Sequence, residues 1–369
     1  MNDARQIRTP HAPTLLRIDL DAIVANYRLL AKLSAPAECA AVVKADAYGL
    51  GVAPVAQAFQ NAGCRTFFVA TLDEGIELRR LLDDDIYVFN GVMTDEIAEF
   101  AEHSLRPVLN DLDQIAAWRA FGAQDSPQPA AISVDTGMNR LGLSTLALNH
   151  IRTNPTLLDG VDARLVLSHL ACADESLNQK NTDQLQFFIE SLLLFPRIAA
   201  SLSASAGIFL GSEWRFDLVR PGIALYGGNP RPSQPNPMNQ VIRLSARILQ
   251  CRDVGAGETI GYSATRHFRT TRQIATVGIG YADGFFRSLS DNGMVYIGQK
   301  SCPVVGRVSM DLISVDITGI DGVKAGDWVD LIGQDHNVDA LAAEAGTIGY
   351  EILTALSSRH QRVYVGANV

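Results

Sequence analysis

Charged residues are scarce in this sequence, and acidic residues outnumber basic ones. Only 19% of the 369 residues are charged, 47% are hydrophobic, and the formal net charge is -9. Nucleic-acid binding needs basic faces, and no local cluster of lysine or arginine offsets the acidic balance. The apolar fraction is too high for a disordered chain. We therefore predict a globular protein without a nucleic-acid partner.

Cysteines and long apolar runs are also rare. The cysteines are odd in number, widely spaced and without a Cys-x-x-Cys pair, which argues against a disulfide framework or a zinc site: Cys39, Cys64, Cys172, Cys251 and Cys302. No run of about 18 apolar residues suits a membrane helix. Residues Met1–Pro13 are polar and lack the apolar segment of a secretory signal. We predict reduced cysteines, no metal, no membrane partner and a cytoplasmic location.

Short apolar or β-branched runs alternate with helix-like segments over the first two thirds of the chain. The eight runs are Ala40–Val43, Thr66–Ala70, Asp85–Phe89, Leu105–Leu109, Ala130–Val134, Ala163–Ser168, Ile198–Ser203 and Phe216–Leu225. The predicted helices between them include Val52–Ala62, Asp73–Leu82, Asp95–His103, Asp111–Phe121 and Glu175–Phe195. This alternation indicates a closed (β/α)8 barrel or a doubly wound sheet, and the count of eight favours the barrel.

The pattern changes after a linker rich in glycine, proline and asparagine at Gly227–Pro237. Beyond it we predict short strands and a single late helix near Val338–Ala345. The predicted strands are Val241–Gln250, Ile274–Ile279, Met294–Ile297, Val304–Val308, Ile313–Ile317 and Trp328–Ile332. We therefore predict a barrel domain at residues 1–235 and a mostly-β domain at residues 236–369.

The first elements precede the alternating region. Leu15–Leu20 predicts a strand that is able to pack on the β domain, and Asp21 predicts the N-cap of the helix that follows.

One lysine ends the first barrel run. Lys44 follows the apolar residues Ala40–Val43, and Tyr48, Gly49 and Gly51 come soon after it. Burial disfavours the ammonium form and lowers the pKa, as an amine needs before it forms a Schiff base with a carbonyl. The glycines permit a tight turn, and the Tyr48 hydroxyl can reach an anionic group beside the lysine. A surface lysine at a strand end is nevertheless the commoner meaning of this pattern.

Other polar residues lie at or near the ends of the predicted barrel strands, where barrel enzymes carry their chemistry. They are Asp135, Arg140, His169, Ser203, Ser205 and Arg220. A phosphate group near the last two strands could bind Ser205 and the backbone amides of Gly222 and Ile223. Taken singly, His169 is more often a core histidine, and Arg140 is more often an ion-pair partner.

Seven segments, in order, resemble signatures of the alanine racemases, a family in which the lysine matching Lys44 carries pyridoxal 5'-phosphate (PLP). They are Ala41–Gly51, Val134–Gly142, Leu167–Ala171, Leu218–Gly227, Gly257–Thr265, Gly280–Gly284 and Val308–Asp311. The resemblance covers nearly the whole chain. It implies a PLP-dependent isomerase that interconverts L-alanine and D-alanine, and a homodimer in which the β domain of one subunit completes the barrel site of the other.

The resemblance also implies a role for each matching residue. Lys44 and Tyr262 would act as the two bases on opposite faces of the substrate, and Arg140 and Met310 would bind that substrate. The cofactor-binding set would be Lys44, Tyr48, His169, Ser205, Arg220, Gly222, Ile223 and Tyr350, with Tyr281, Asp311 and Ser133 in support. Arg220 would leave the pyridine nitrogen largely unprotonated, which favours simple proton return.

A tyrosine base at neutral pH needs cationic neighbours, because the ordinary tyrosine pKa is about 10. Arg140 and His169 are the candidates for that positive field.

Two positions depart from the family pattern. Ser133 replaces a commonly carbamylated lysine, and Ala204 replaces an asparagine. A buried Arg140 without that carbamate would be costly. We therefore expect a small anion such as chloride between Ser133 and Arg140, or a nearby carboxylate, and an activity that is indifferent to carbon dioxide.

Other activities remain open from the sequence. A PLP-dependent barrel decarboxylase shares the layout but typically has an acidic group in place of Arg220. A broad-specificity or serine racemase differs only in how it treats one hydroxyl group. A PLP-binding protein without catalytic activity would not need the Tyr262 and Met310 segments. Whether the activity supplies D-alanine for peptidoglycan or degrades it is also open.

Overall fold

The structure is a computed structural model that describes residues 12–122 and 126–366. These residues form two compact units. One unit is Ile23–Asn239, and the other combines the described part of Met1–Ala22 with that of Gln240–Val369. The predicted division at residues 235 and 236 lies close to this junction, but the first described strand groups with the carboxyl-terminal unit. The predicted polar segment before residue 12 lies outside the described residues.

The chain begins with strand β1 (Thr14–Asp19) and helix α1 (Leu20–Ser34). The predicted N-cap of α1 was wrong, since Asp19 Oδ1 accepts the backbone N–H of Ala22 at 2.9 Å, while Asp21 lies in the first turn.

The barrel unit alternates strands and helices as predicted. Its strands are β2 (Glu38–Cys39), β3 (Ala41–Val42), β4 (Thr66–Val69), β5 (Asp85–Val88), β6 (Arg106–Leu109), β7 (Gln128–Ser133), β8 (Val161–Leu167), β9 (Ala199–Ser201) and β10 (Leu218–Val219). Its helices are α2 (Lys44–Gly49), α3 (Val52–Asn61), α4 (Leu72–Arg79), α5 (Ile97–Glu102), α6 (Leu112–Gly122), α7 (Thr145–Thr153) and α8 (Gln179–Leu192). Short 3-10 turns lie at Pro155–Leu158, Gly207–Phe209, Ser212–Trp214 and Ile223–Tyr226.

The strands of this unit form a closed parallel barrel. Strands β3 to β9 pair in chain order in one sheet. β10 pairs in parallel with β2 through Leu218 and Glu38, and the Arg220 N–H donates to the Ser203 carbonyl beside β9 at 2.9 Å. Because β2 and β3 flank the single residue Ala40, the described chain has eight strand positions. The predicted (β/α)8 barrel is confirmed.

Burial explains why these strands could be predicted from the sequence. Parallel barrel strands are covered on both faces and therefore appear as nearly continuous apolar runs. Strand β4 is buried throughout, and most of β5 is buried as well.

Helix starts depend on local caps. α8 begins at Gln179 rather than at the predicted Glu175, because the Asn178 side chain accepts the Lys180 N–H and caps the helix there.

The second unit is mostly β. Its further strands are β11 (Ile242–Val254), β12 (Thr259–Ile260), β13 (Arg266–His267), β14 (Arg272–Val277), β15 (Met294–Ile297), β16 (Lys300–Pro303), β17 (Ile313–Asp316), β18 (Trp328–Ile332) and β19 (Gln361–Val365). Its helices are α9 (Val338–Ala345) and α10 (Gly349–Thr354), and 3-10 turns lie at Tyr262–Ala264, Tyr281–Asp283 and Arg287–Leu289.

Strand β1 belongs to the sheet of this unit. Leu16 of β1 pairs antiparallel with Leu244 of β11 and parallel with Arg362 of β19. The first described strand therefore lies between two strands that come more than two hundred residues later in the chain.

Two predictions for this unit were wrong. Val304–Val308 is not a strand; only Val304 forms a single bridge, with Val315, and the neighbouring hairpin uses β16 instead. The predicted helix at Val338–Ala345 is α9, but it is not the single late helix, because α10 follows after Gly346, whose left-handed conformation (φ 73°) ends α9.

All five cysteines are free, and Cys39, Cys64 and Cys302 are buried. Among the helices of the described chain, none combines the length and apolarity that a membrane crossing needs.

Candidate active site

Lys44 lies directly after strand β3, at the carboxyl end of the barrel. The Val43 N–H continues the ladder by donating to the Phe68 carbonyl at 2.9 Å, and Lys44 Nζ lies 6.0 Å from the centre of the Phe89 ring. Burial, reinforced by the positive charge of Arg140, lowers the pKa of Lys44, while Glu74 acts in the opposite sense. The neutral amine is therefore more accessible here than on a surface lysine.

The turn after Lys44 has an unusual hand. Residues Ala45–Tyr48 have φ between 53° and 55°, so α2 contains four successive left-handed residues that are not glycine. Each such residue costs about 1–2 kcal/mol relative to the right-handed conformation. Asp46 contributes to holding the turn, since its Oδ1 accepts the Val52 N–H at 2.7 Å. The glycines predicted a tight turn, but no sequence signal predicted its hand.

Tyr48 lies against a backbone cradle near the last barrel strand. Its ring stacks on Tyr226 at 4.6 Å, and its hydroxyl would lie only 2.1 Å from a Cβ added to Gly222. The buried Ser205 hydroxyl accepts the N–H groups of Gly222 at 2.9 Å and Ala224 at 3.2 Å. Glycine at position 222 is therefore required for this close approach, which brings Tyr48, Ser205 and the amide of Gly222 together beside Ile223.

Arg220 is a buried cation with neutral partners. It is 3% exposed and donates to the Ser168 carbonyl at 2.5 Å and to the Ser201 hydroxyl. Burial lowers the pKa of Arg220 to about 9. These two bonds do not use all five N–H donors of the guanidinium, which can donate further to an acceptor such as an aromatic ring nitrogen.

A buried network centred on Gln184 joins the ends of strands β7 and β8. Gln184 Nε2 donates to Thr136 Oγ1 at 3.0 Å and to the His169 carbonyl at 2.9 Å, and its Oε1 accepts the Ala171 N–H at 2.8 Å. Thr136 in turn bonds the hydroxyl of Ser168, whose carbonyl accepts from Arg220. Sequence analysis missed Gln184; a polar residue on the apolar face of α8 was the available signal.

His169 faces the open barrel mouth but is surrounded by protein atoms and by cations. Desolvation, and the charges of Arg220, Arg140 and Lys44, lower the pKa of His169 to about 3. The imidazole is therefore neutral near pH 7. The surrounding cations oppose protonation of His169, so Arg140 is the stronger candidate for the positive field, and the role of His169 stays a prediction.

Arg140 ends a loop that is shaped by Asp135. Asp135 Oδ1 accepts three successive backbone N–H groups, from Gly137 at 2.9 Å and from Met138 and Asn139 at 3.0 Å. Ser133 lies buried at the end of β7, whereas Arg140 is exposed in the single chain.

The environment of Arg140 differs from the expected one. Arg140 is not buried here, and within residues 12–122 and 126–366 no carboxylate forms an ion pair with it. Neither expected replacement for the carbamate, a small anion or a nearby carboxylate, is seen as an ion pair of Arg140 in the described chain, and both stay predictions. Ala204 forms a backbone bridge to Arg220, and its carbonyl accepts the Ile208 N–H at 3.2 Å.

In the β unit, Tyr262 lies on an exposed turn. Its side chain is 70% exposed, Gly261 before it has φ 72°, and Ser263 after it has φ 59°. The turn is tied to a neighbouring segment, because Arg307 donates to the Ser263 hydroxyl at 2.9 Å.

Three other predicted residues of this unit are brought together. The Tyr281 N–H donates to the Ser309 carbonyl at 3.0 Å, which places Tyr281 beside the segment that carries Met310 and Asp311. Arg359 joins the two segments by bridging Asp283 at 3.3 Å and Asp311 at 2.8 Å.

The β unit has several exposed aromatic and apolar side chains. Tyr281, Met310 and Tyr350 are all exposed, Tyr350 on α10.

Each unit of the chain matches a known protein family model. The family described as "Alanine racemase, N-terminal domain" matches residues 18–230, and "Alanine racemase, C-terminal domain" matches residues 241–364. The chain belongs to the alanine racemase family. The sequence-based prediction of this family is therefore confirmed.

Individual alanine racemases are similar over nearly their whole length. The alanine racemase of Acidiphilium cryptum is 48% identical over 95% of this chain and 98% of its own, and that of Rhodospirillum rubrum is 46% identical over 96% of each. A solved alanine racemase from Bartonella henselae, with covalently bound pyridoxal phosphate, superposes with a TM-score of 0.93 at 42% identity. It covers 96% of this chain and 100% of that one.

Proposed function

We propose that this chain is a PLP-dependent alanine racemase that interconverts L-alanine and D-alanine. The observation that carries the proposal is the lysine of lowered pKa at a barrel strand end, on the same barrel rim as a buried arginine with neutral hydrogen-bond partners. The named relatives support the same activity. A decarboxylase is not favoured, because Arg220 stands where an acidic group is typical of such enzymes.

The residues of the barrel fit PLP. Arg220 would meet the ring nitrogen, since its bonds to Ser168 and Ser201 leave it without a negative partner there. Ser205 and the amide of Gly222, with the Tyr48 hydroxyl close by, would hold the phosphate. Lys44 would hold the cofactor aldehyde. When bound, PLP supplies the electron sink that makes the α-proton of an amino acid removable.

Proton transfer then needs one group on each face of the substrate. Lys44 Nζ works on one face, and its lowered pKa makes the neutral, proton-accepting form accessible. Tyr262 works on the other face. Because His169 is neutral, Arg140 is the remaining candidate cation for stabilising the phenolate and for binding the substrate carboxylate.

The β unit supports a homodimer with shared sites. Tyr262, Met310, Tyr281 and Tyr350 are exposed in the single chain, and side chains of this kind are enriched where surfaces are covered by a partner. We propose that Tyr262 of the partner subunit completes each barrel site. Asp311 helps to hold this surface through its ion pair with Arg359.

The test of the activity is loss of optical rotation in L-alanine on incubation with the PLP-loaded protein. The expected result is a decay to zero rotation with alanine conserved. Release of carbon dioxide with loss of alanine would instead identify a decarboxylase, and unchanged rotation would contradict both activities. The same assay with L-serine measures how strictly alanine is preferred. A cytoplasmic location and a role in supplying D-alanine for peptidoglycan are proposed with the racemase activity.

A further inference from the structure

One carboxylate joins the ends of two adjacent barrel strands. Glu74 Oε1 accepts the backbone N–H of Ala45 at 2.7 Å, and its Oε2 accepts those of Ala70 at 2.7 Å and Thr71 at 3.3 Å. Ala45 directly follows Lys44 after β3, and Ala70 directly follows β4. Three main-chain donors therefore converge on one side chain of α4.

Helix capping explains only part of this arrangement. Thr71 and Glu74 form a capping box at the start of α4, in which the Thr71 hydroxyl accepts the Glu74 N–H and Glu74 accepts the Thr71 N–H. The bond from Ala45 lies outside that motif and crosses to another strand end. Glu74 thus uses one oxygen for its own helix and the other for the residue after Lys44.

The bond falls where the backbone needs support. Ala45 is the first of the four left-handed residues, a conformation that residues other than glycine rarely adopt in succession. Inside the turn, the Ala47 N–H donates to the Val43 carbonyl at 2.9 Å. Glu74 reaches the same turn from a different element, so it ties the direction of the chain at Lys44 to the start of α4.

Glu74 also brings a negative charge to the surroundings of the amine. Asp46 and Tyr48 lie on the turn of Lys44 itself, Arg140 after β7 acts on its charge, and His169 after β8 responds to Lys44, Arg140 and Arg220. Arg140 opposes protonation of Lys44 and Glu74 favours it.

We propose that Glu74 is a positioning residue for Lys44, with its carboxylate fixing the peptide that follows the lysine and balancing the positive charge of Arg140. The inference rests on the proposed function, since that function gives Lys44 its bond to the cofactor. Glutamate suits the role because it offers two acceptor oxygens, whereas glutamine has one acceptor and would turn an N–H group towards a backbone donor.

The test compares Glu74→Gln with Thr71→Ala in the full-length protein. Thr71→Ala disrupts the same capping box but keeps the carboxylate, so it is the matched control for damage to α4. After PLP removal, Lys44 is acylated with limiting acetic anhydride over a range of pH. Mass spectrometry of its peptide measures the rate, with the exposed Lys32 as the internal standard.

For Glu74→Gln we expect the midpoint of Lys44 reactivity to fall by roughly one pH unit. We also expect the rate of cofactor loading to fall about tenfold, the lower end of the loss seen when a group that orients a metal ligand is removed. Thr71→Ala should leave both close to wild type. Equal effects of the two variants, or no effect of Glu74→Gln, would overturn the proposal.

A second variant covers the case in which Glu74→Gln is recovered unfolded. Glu74→Asp keeps the charge, but its shorter side chain cannot span both strand ends. We expect a Lys44 midpoint near that of wild type with slower cofactor loading, and loading at the wild-type rate would overturn the proposal. Borohydride reduction of wild-type protein with PLP separates the two hypotheses. If the reduced cofactor is not attached to Lys44, the proposed function is contradicted. If it is attached to Lys44 but the Glu74 variants load PLP at the wild-type rate, only the role of Glu74 is contradicted.

Discussion

The candidate residues of the barrel and those of the β unit are built in opposite ways. In the barrel, Arg220 is 3% exposed and donates to two acceptors, the Ser168 carbonyl and the Ser201 hydroxyl. The Ser205 hydroxyl accepts two backbone N–H groups. In the β unit, Tyr262 is 70% exposed and Met310 is 53% exposed. The barrel residues are therefore held in place within one chain, whereas the candidate residues of the β unit lie exposed on its surface.

The largest expected effect is at Lys44. Lys44→Ala should abolish both the visible absorbance band of the lysine-bound cofactor and racemisation, because the anchor and one base are the same residue. Absorbance spectra and polarimetry after incubation with PLP measure the two losses. Lys32→Ala, on an exposed position of α1, should retain both. Racemisation by Lys44→Ala with PLP and no added amine would remove Lys44 from the site.

The next largest effect tests whether the exposed Tyr262 is the second base. Tyr262→Phe should keep the cofactor band and slow one direction of turnover more than the other, measured by solvent deuterium incorporation into each enantiomer. Tyr262 has no part in holding the cofactor in this proposal, so only proton transfer should suffer. Wild-type rates in both directions would exclude Tyr262 as the second base.

Subunit mixing sharpens the same prediction. If sites are shared, hybrids of Lys44→Ala and Tyr262→Phe subunits contain one intact site, and an equal mixture should recover about a quarter of wild-type activity. No recovery in a mixture shown to contain hybrids would mean that each chain builds its own site.

A smaller effect is expected on the pH dependence of folding stability when His169 is replaced. The pKa of His169 is lowered from its ordinary value near 6.5 to about 3, so the unfolded chain binds more protons than the folded chain between these values. The stability linked to His169 is fully present above about pH 6.5 and is lost as the pH falls towards 3. In His169→Gln, the cofactor-free protein should lose less stability between pH 7 and pH 4.5 in urea unfolding. His150→Gln, on an exposed position of α7, is the control, and an equal pH response in all three proteins would contradict the shift.

The smallest expected effect concerns Ser133 and Arg140. Because serine cannot carry a carbamate, turnover in degassed buffer should be the same with and without bicarbonate. Replacing chloride with a bulky anion should reduce turnover if a small anion orients Arg140. Dependence on bicarbonate would refute the carbamate-free site. If turnover does not depend on chloride, the small-anion hypothesis is excluded. A carboxylate from outside the described chain would then be the remaining partner for Arg140.

Much of the barrel and its rim could be predicted because the signals are local. Strands buried on both faces appear as apolar runs, and a polar residue after such a run lies at one rim of the barrel. The errors occurred where several local signals compete. Val304–Val308 is apolar enough for a strand, yet its neighbours pair elsewhere, and a second helix, α10, follows the predicted α9 after Gly346.

The sequence by itself determined the order of strands and helices and the position of Lys44 at a strand end, since burial periodicity and neighbouring residues carry that information. Only the tertiary structure decided the left-handed turn after Lys44, the neutral state of His169 and the bond from Ala45 to Glu74. Each of these depends on groups that are distant in sequence or on a backbone choice that short-range preferences oppose. A hydrogen bond across 29 residues, such as the one to Glu74, exists only once two barrel strands lie side by side.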